Sequence, residues 1–235
     1  MYRLVVRPEQ IASQQISLDR QQWHYISKVL RFSNGDRFIA LDGIGNAWQV
    51  EIADKAAKIL KPLEIETELP FTLSLVTALP KGNSYEQILR CCTELGVSNF
   101  IPVISDRTIV KPKANKLDRW RKIVTEAAEQ SERQIVPSVS APLKFSDAIA
   151  PLQSCDRKYI CVARGNIPTF YSARPQQVQG EIVIATGCEG GWTENEVQAA
   201  IDLGFKPVSL GRRILRAVTA PITACSIVAA LEESK

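Results

Sequence analysis

Two short segments in the second half of the sequence and one before it carry the residue types that could hold a ligand and act on it. Gly187-Cys188-Glu189-Gly190-Gly191 follows the apolar run EIVIAT, and its three glycines fall within five residues. Glycine lets a backbone come close to a ligand and adopt positive φ. Amides and carbonyls bared in this way can read the edge of a flat heterocycle such as adenine without side chains. Leu210-Gly211-Arg212-Arg213-Ile214-Leu215-Arg216 follows PVS, and Leu79-Pro80-Lys81-Gly82 follows FTLSLVTAL. A tight turn is the plain alternative for the glycines. The cluster is not Gly-x-Gly-x-x-Gly, and no Gly-x-x-x-x-Gly-Lys-Ser/Thr occurs, which weighs against dinucleotide and nucleoside triphosphate chemistry.

The fourth feature is charge. Residues 107–133 hold eight basic side chains (Arg107, Lys111, Lys113, Lys116, Arg119, Arg121, Lys122, Arg133) against four acidic ones (Asp118, Glu126, Glu129, Glu132). Residues 206–216 hold four basic side chains and no acid, within a chain of net charge +4. Such local excess suits a phosphate-rich partner, because each neutralised phosphate releases condensed counterions. A solvated charged face is the ordinary alternative. The six cysteines form no Cys-x-x-Cys pair and only one histidine is present, so no metal site is expected and the thiols read as reduced. No apolar run reaches the roughly 18–20 residues that span a bilayer. The start, MYRLVVRPEQ, lacks the order of a signal peptide, so the chain is expected in the cytoplasm.

The elements that would position these residues fall into two groups. MYRLVV, RFIALD and AWQVEIA are short β-type runs separated by Asn-Gly and Gly-rich turns, and they predict a small barrel over residues 1–68. A helix over 19–30 interrupts them, with Trp23, Ile26, Val29 and Leu30 on one face. Pro62 and LEIETELP read as the exit and linker. From residue 69 onward, strands alternate with helices. FTLSLVTAL, NFIPVIS, YICVA, EIVIAT and PVSLG are the strands, and helices begin near residues 84, 116, 194 and 217. Thr193 with Glu196 supplies a capping box, and Gly96 and Gly204 supply helix ends. The alternation predicts an α/β domain over 69–235 with a mostly parallel sheet. Ligands in such sheets bind beyond the carboxyl ends of the strands, where the three glycine-bearing loops lie.

The segment IATGCEGGWTENEVQAAIDLGFKPVSLGRRILRAVTA resembles the signature of the RsmE family of SPOUT-class methyltransferases, which methylate N3 of a uridine in 16S ribosomal RNA. HYISKVLR (24–31) with Gly35, Lys81 with Glu94-Leu95-Gly96-Val97, Pro102, Ser105-Asp106-Arg107, Trp120, and residues 126–133 with Pro137 agree with further blocks of that family in the same order. The resemblance implies a PUA-like RNA-binding barrel followed by a domain with a deep trefoil knot. It also implies S-adenosylmethionine held by the knotted loops, and an active site formed in a homodimer. Carried onto this chain, it places the cofactor against Leu79, Gly187, Glu189, Gly190, Gly191, Leu210, Gly211, Ile214, Leu215, Thr219 and Ala220. Two positions depart from the family. Cys188 stands where proline is usual, and Ala217-Val218 stand where Thr-Glu is usual.

Methylating N3 of uracil requires loss of a weakly acidic proton and stabilisation of charge on the ring oxygens. The fixed fork of arginine suits that task. The expected catalytic residues are Arg216 and Arg133 as anion stabilisers and Glu189 as the carboxylate that orients the base or takes the proton. A loop-closing bond to backbone amides is the alternative for Glu189. Arg31, Lys81, Arg107 and Arg133 are expected on the RNA. His24 reads as structural, Cys188 as a packing residue, and Trp192 as packing either on the glycine loop or on the following helix. Two other functions stay open at this point. One is the same chemistry on another RNA such as a transfer RNA, and the other is a non-catalytic RNA-binding assembly factor. A nicotinamide oxidoreductase lacks its fingerprint.

Overall fold

The computed structural model describes residues 1–110, 115–155, 157–173 and 180–232; Lys111 and Lys113 of the basic run lie outside them. The chain forms two units, one of Met1–Glu68 with Ala128–Val136 and one of Leu69–Ala127 with 137–235.

The first unit is built on six strands. They are β1 (Arg3–Val5), β2 (Ile11–Ala12), β3 (Gln15–Ser17), β4 (Arg37–Leu41), β5 (Ala47–Ala53) and β6 (Ala56–Leu63), with helix α1 (Arg20–His24) between β3 and β4. The sheet order is β1-β4-β5-β6-β3-β2. β1 runs parallel to β4 and every other pair is antiparallel. Side chains alternate across a strand, so Phe38 and Ala40 of β4 share an inner face with Val50 and Ile52 of β5, joined by Leu4, Ile16 and Ile26. β6 lies outside the three strands expected from sequence and runs through Pro62, the expected exit.

α1 starts where Asp19 Oδ1 accepts the amides of Gln21 and Gln22, both at 2.9 Å. The chain continues as a π-helical turn, Tyr25–Val29, and ends with Arg31 in the left-handed region at φ +60. The amide of Phe32 then closes onto the carbonyl of Ile26 at 3.0 Å. Residues 128–136 join this unit through Arg133, whose side chain is 3% exposed and grips Glu68, with Nη2 to Oε2 at 2.6 Å. Glu68 Oε1 also accepts the amides of Gln134 and Ile135 at 3.1 Å.

The second unit alternates strand and helix. In order it holds β7 (Thr72–Ala78), α2 (Ser84–Glu94), β8 (Asn99–Ile104), α3 (Lys116–Gln130, whose last turn enters the first unit), β9 (Ser138–Val139), β10 (Leu143–Lys144), α4 (Phe145–Ile149), β11 (Arg157–Cys161), α5 (Phe170–Ala173), β12 (Glu181–Thr186), α6 (Glu194–Asp202), β13 (Lys206–Val208) and α7 (Thr219–Glu232). The strands lie in the order β10-β8-β7-β12-β11-β13 with β9 beside β8, all pairs parallel.

Helices on both faces leave β7 and β12 buried beyond their first residues, which is why apolar and small residues fill both of their faces, with Ser74, Thr77 and Thr186 as the buried polar exceptions. Gly96 and Gly204 take φ of +87 and +84 at the ends of α2 and α6, as capping requires. No helix among the described residues is long and apolar enough to cross a membrane. The connection from β7 leads to β8 on one side, whereas β12 flanks β7 on the other. The carboxyl ends of β7 and β12 therefore border the crevice in which open α/β sheets receive ligands.

Candidate active site

A cleft opens at the carboxyl ends of β8, β11, β12 and β13. Its walls come from Arg107, from Cys161 to Arg164, from Gly187, Cys188, Gly190, Gly191 and Trp192, and from Ser209, Leu210, Gly211, Arg213, Leu215, Ala217 and Ala220. The loop after β12 fits together only without side chains at two points. A Cβ on Gly187 would lie 3.1 Å from Cα of Gly191, and one on Gly190 would lie 3.0 Å from Cβ of Arg107. Gly191, at φ +67, and Gly211, at φ +117, bare their backbone to open space. The loop folds on itself through the amide of Gly191, which donates to the carbonyl of Cys188 at 2.9 Å.

Hydrogen bonds from β8 and α6 hold this loop. Thr193 caps α6, and the buried Glu196 accepts the Asp106 amide at 2.9 Å. Thr193 Oγ1 donates to Asp106 at 3.0 Å. That frame delivers Arg107, whose Nη1 donates to the carbonyl of Gly190 at 2.8 Å. Cys188 is buried, with its Sγ donating to the Arg107 carbonyl at 3.4 Å, a packing role. Trp192 is also buried and stacks on Phe145 with ring centroids 4.5 Å apart. Its Nε1 is buried without a hydrogen-bond partner among the described residues. Burial, helped by Cys225, pushes the Cys161 thiol up to about 12. The thiolate is the nucleophile, so Cys161 is an inert wall.

A second hollow, lined by Ser84, Gln87, Glu189, Ile214, Leu215, Arg216, Ala217, Val218 and Thr219, shares Leu215 and Ala217 with the cleft. The sequence-derived residues divide between the two. Gly187, Gly190, Gly191, Leu210, Gly211, Leu215, Ala220 and Arg107 line the cleft, while Glu189, Ile214, Arg216 and Thr219 line the hollow. Glu189 Oε1 accepts the Lys81 amide at 3.0 Å, tying the loop after β12 to the loop after β7. Arg216 is exposed, and its carbonyl accepts the Ala220 amide at 3.0 Å where α7 begins.

Leu79, Arg133 and Arg31 line neither the cleft nor the hollow. Leu79 is 2% exposed, belongs to the interior, and spends its amide on the Val103 carbonyl, so it lines neither wall. Arg133 lies in the first unit, with its guanidinium buried against Glu68. Arg31 is exposed on the first unit. Sequence reasoning missed Cys161–Arg164 and Arg213. The loop after β11 carries no glycine cluster, and only its place after a buried strand could have flagged it.

Residues 67–229 match the model of the RNA methyltransferase domain, and residues 18–61 match that of the RNA methyltransferase PUA domain. The chain belongs to the RNA methyltransferase family. Within that family it is 48% identical, over 99% of its length and 78% of the relative's, to ribosomal RNA small subunit methyltransferase E of Synechocystis. The Bacillus subtilis protein of the same name is 34% identical, over 90% of this chain and 88% of its own. A solved ribosomal RNA small subunit methyltransferase E from Neisseria gonorrhoeae, bound to S-adenosyl methionine, superposes with a TM-score of 0.89 at 32% identity and covers 98% of each chain. The methyltransferase model spans the whole cleft, and the PUA model spans α1 and the central strands of the first unit.

Proposed function

We propose that this chain transfers a methyl group from S-adenosylmethionine to N3 of a uridine in the 16S ribosomal RNA of the small subunit. One observation carries the reading: the strand-end cleft is walled by a glycine loop packed so closely that a Cβ at Gly187 or Gly190 would come within 3.1 and 3.0 Å of its neighbours, in a chain 48% identical to a ribosomal RNA small subunit methyltransferase E. The cleft suits the cofactor. Gly191 and Gly211 offer bare backbone, Leu210, Leu215, Ala217 and Ala220 offer apolar surface for a heterocycle, and Trp192 Nε1 is a donor without a partner among the described residues. Gly187, Gly190, Gly191, Leu210, Gly211, Leu215 and Ala220 would hold it, with Glu189, Ile214 and Thr219 bordering from the hollow. When bound, it supplies an electrophilic methyl carbon.

The protein's part is positioning and charge. N3 lies on the pairing edge of uracil, so the target enters unpaired or flipped out. In this reading Arg216 stabilises the charge that develops on the ring oxygens as the N3 proton leaves. Glu189 keeps one oxygen on the Lys81 amide and turns the other, which has no partner among the described residues, to the base as proton acceptor. Lys81 and Arg107 hold RNA phosphates here, and Arg31 does so from the first unit. For Arg133, burial against Glu68 favours a purely supporting role.

The active form is taken to be a homodimer in the cytoplasm. Ile222, Thr223, Ser226, Ile227 and Ala230 of α7 form a half-exposed stripe at helical spacing beside Tyr171, which suits packing against a second copy. The test is calorimetric titration with S-adenosylmethionine, then methylation of purified small subunits with mass mapping of the product. Absence of binding at millimolar cofactor overturns the enzyme, and a modified transfer RNA overturns the target.

A further inference from the structure

Three arginines reach the cleft from three different crossings. Arg107 follows β8, Arg164 follows β11 and Arg213 follows β13, and all three are exposed. No aspartate or glutamate lines the same cleft among the described residues. Arg107 is steadied by the Gly190 carbonyl. Neither Arg164 nor Arg213 has a hydrogen-bond or ion-pair partner among the described residues. Three like charges around one opening repel one another unless an anion sits among them.

The cofactor of the proposed reaction cannot be that anion as a whole. Its sulfonium and ammonium outweigh its single carboxylate, leaving it a net cation. The remaining reactant is a polyanion. Arginine's planar fork matches an oxyanion in a way a point charge does not.

We propose that Arg107, Arg164 and Arg213 form an oxyanion subsite that takes a backbone phosphate of the RNA beside the target nucleotide. The inference rests on the methyl-transfer reading for its polyanion, and it adds Arg164 and Arg213 to the residues that recognise substrate. It carries a consequence for binding order. RNA on the subsite removes positive potential from the cleft, so RNA and cofactor tighten each other by the same factor, as linkage requires. Without RNA, the neutral product S-adenosylhomocysteine binds more tightly than the cationic donor, and RNA narrows that difference.

The experiment uses the full chain and the variants Arg164→Gln and Arg213→Gln, with Arg164→Lys and Arg213→Lys as partners that keep the charge. Anisotropy of a fluorescein-labelled single-stranded oligouridylate is titrated across a series of salt concentrations. Each glutamine variant is expected to bind about tenfold more weakly, with the slope of log affinity against log salt shallower by about 0.7. The lysine variants keep most of the slope, since they keep the charge. Calorimetry with S-adenosylmethionine alone should show affinity unchanged or improved.

Unchanged oligouridylate affinity and slope in both glutamine variants overturn the subsite. A loss confined to S-adenosylmethionine, and absent with its decarboxylated analogue, assigns the arginines to the cofactor carboxylate and overturns the phosphate. Failure of the underlying enzyme reading is distinguishable, because it shows in the unmodified chain as absence of cofactor binding and of methyl transfer. The oligouridylate titration decides the subsite in either case. Both arginines are exposed, and matching thermal melts exclude misfolding as the cause of a loss.

Discussion

Replacing Gly187 with alanine places a methyl carbon 3.1 Å from Cα of Gly191, against backbone that no rotamer change can move. The loop between β12 and α6 must then shift by a few tenths of an ångström, while the amide of Gly191 remains bonded to Cys188 and Arg107 remains on Gly190. Overpacking of this kind costs about 1–3 kcal/mol. For a unit of this size, each kcal/mol lowers Tm by roughly 2–4 °C, so a fall of about 5 °C is expected. Gly191→Ala meets no atom within 4 Å but must hold φ at +67, a conformation that costs an L residue about 1–2 kcal/mol. Gly191 also lines the cleft. The two variants should therefore separate. Gly187→Ala loses stability first and cofactor affinity through the displaced loop, whereas Gly191→Ala loses affinity beyond its loss of stability. Calorimetric melting and cofactor titration on both proteins measure this. A Gly187→Ala chain that melts with the parent and binds cofactor equally well would refute the close-packed loop.

Glu189→Gln keeps an oxygen for the Lys81 amide but gives up the charge, so single-turnover methylation should slow by about a hundredfold with cofactor affinity retained. Glu189→Ala should lose both, and an unchanged rate in the glutamine variant removes the proton acceptor. Arg133→Met leaves the part-exposed Glu68 without its guanidinium but with the amides of Gln134 and Ile135, and should destabilise the first unit by about 1–3 kcal/mol. Cofactor affinity at low temperature should stay at the parental value, and a loss there would restore Arg133 to the site. A pH prediction comes from the contact between α2 and α3. Burial alone would raise the carboxyl of Glu86, but hydrogen bonds and charge from Arg119 and Lys116 outweigh it and hold the group below its ordinary value. A group lowered in the folded state stabilises the fold above its unfolded pKa, near 4.3. That contribution fades as pH falls through the folded value. Melting of the parent chain should thus drop more steeply with acid than melting of Glu86→Gln, and parallel curves would show that the carboxylate contributes nothing.

The parts of the site that sequence made legible are those whose signal is local. Asp19 and Thr193 cap helices through side chains that bond amides two or three residues away. The buried strands β7 and β12 announce themselves as short runs rich in Leu, Val, Ile and Ala with no charge beyond the first residue. The glycine loop is legible because what it lacks, a Cβ, is written in the chain. What stayed hidden depends on partners far off in sequence. Arg133 follows the strongly charged helix α3 and reads from sequence as a substrate contact, but Glu68 pairs with it from 65 residues away. Arg164 carries no local mark, and only the parallel order of β11 beside β12 and β13 brings it to the cleft. Leu79 read as part of a ligand loop because it borders Pro80, whereas its amide extends the β7–β8 pairing into the interior. The π-helical turn after α1 was likewise invisible to a reading based on a period of 3.6 residues.

The first unit borrows nine residues, Ala128–Val136, from beyond the start of the second. A ribosome making this protein has therefore released the whole of β7, α2 and β8 before the clasp for Glu68 exists. Until Arg133 emerges, the newborn barrel ends in a carboxylate with no guanidinium to meet it. A fragment cut after residue 68 would be frozen in that same unfinished condition.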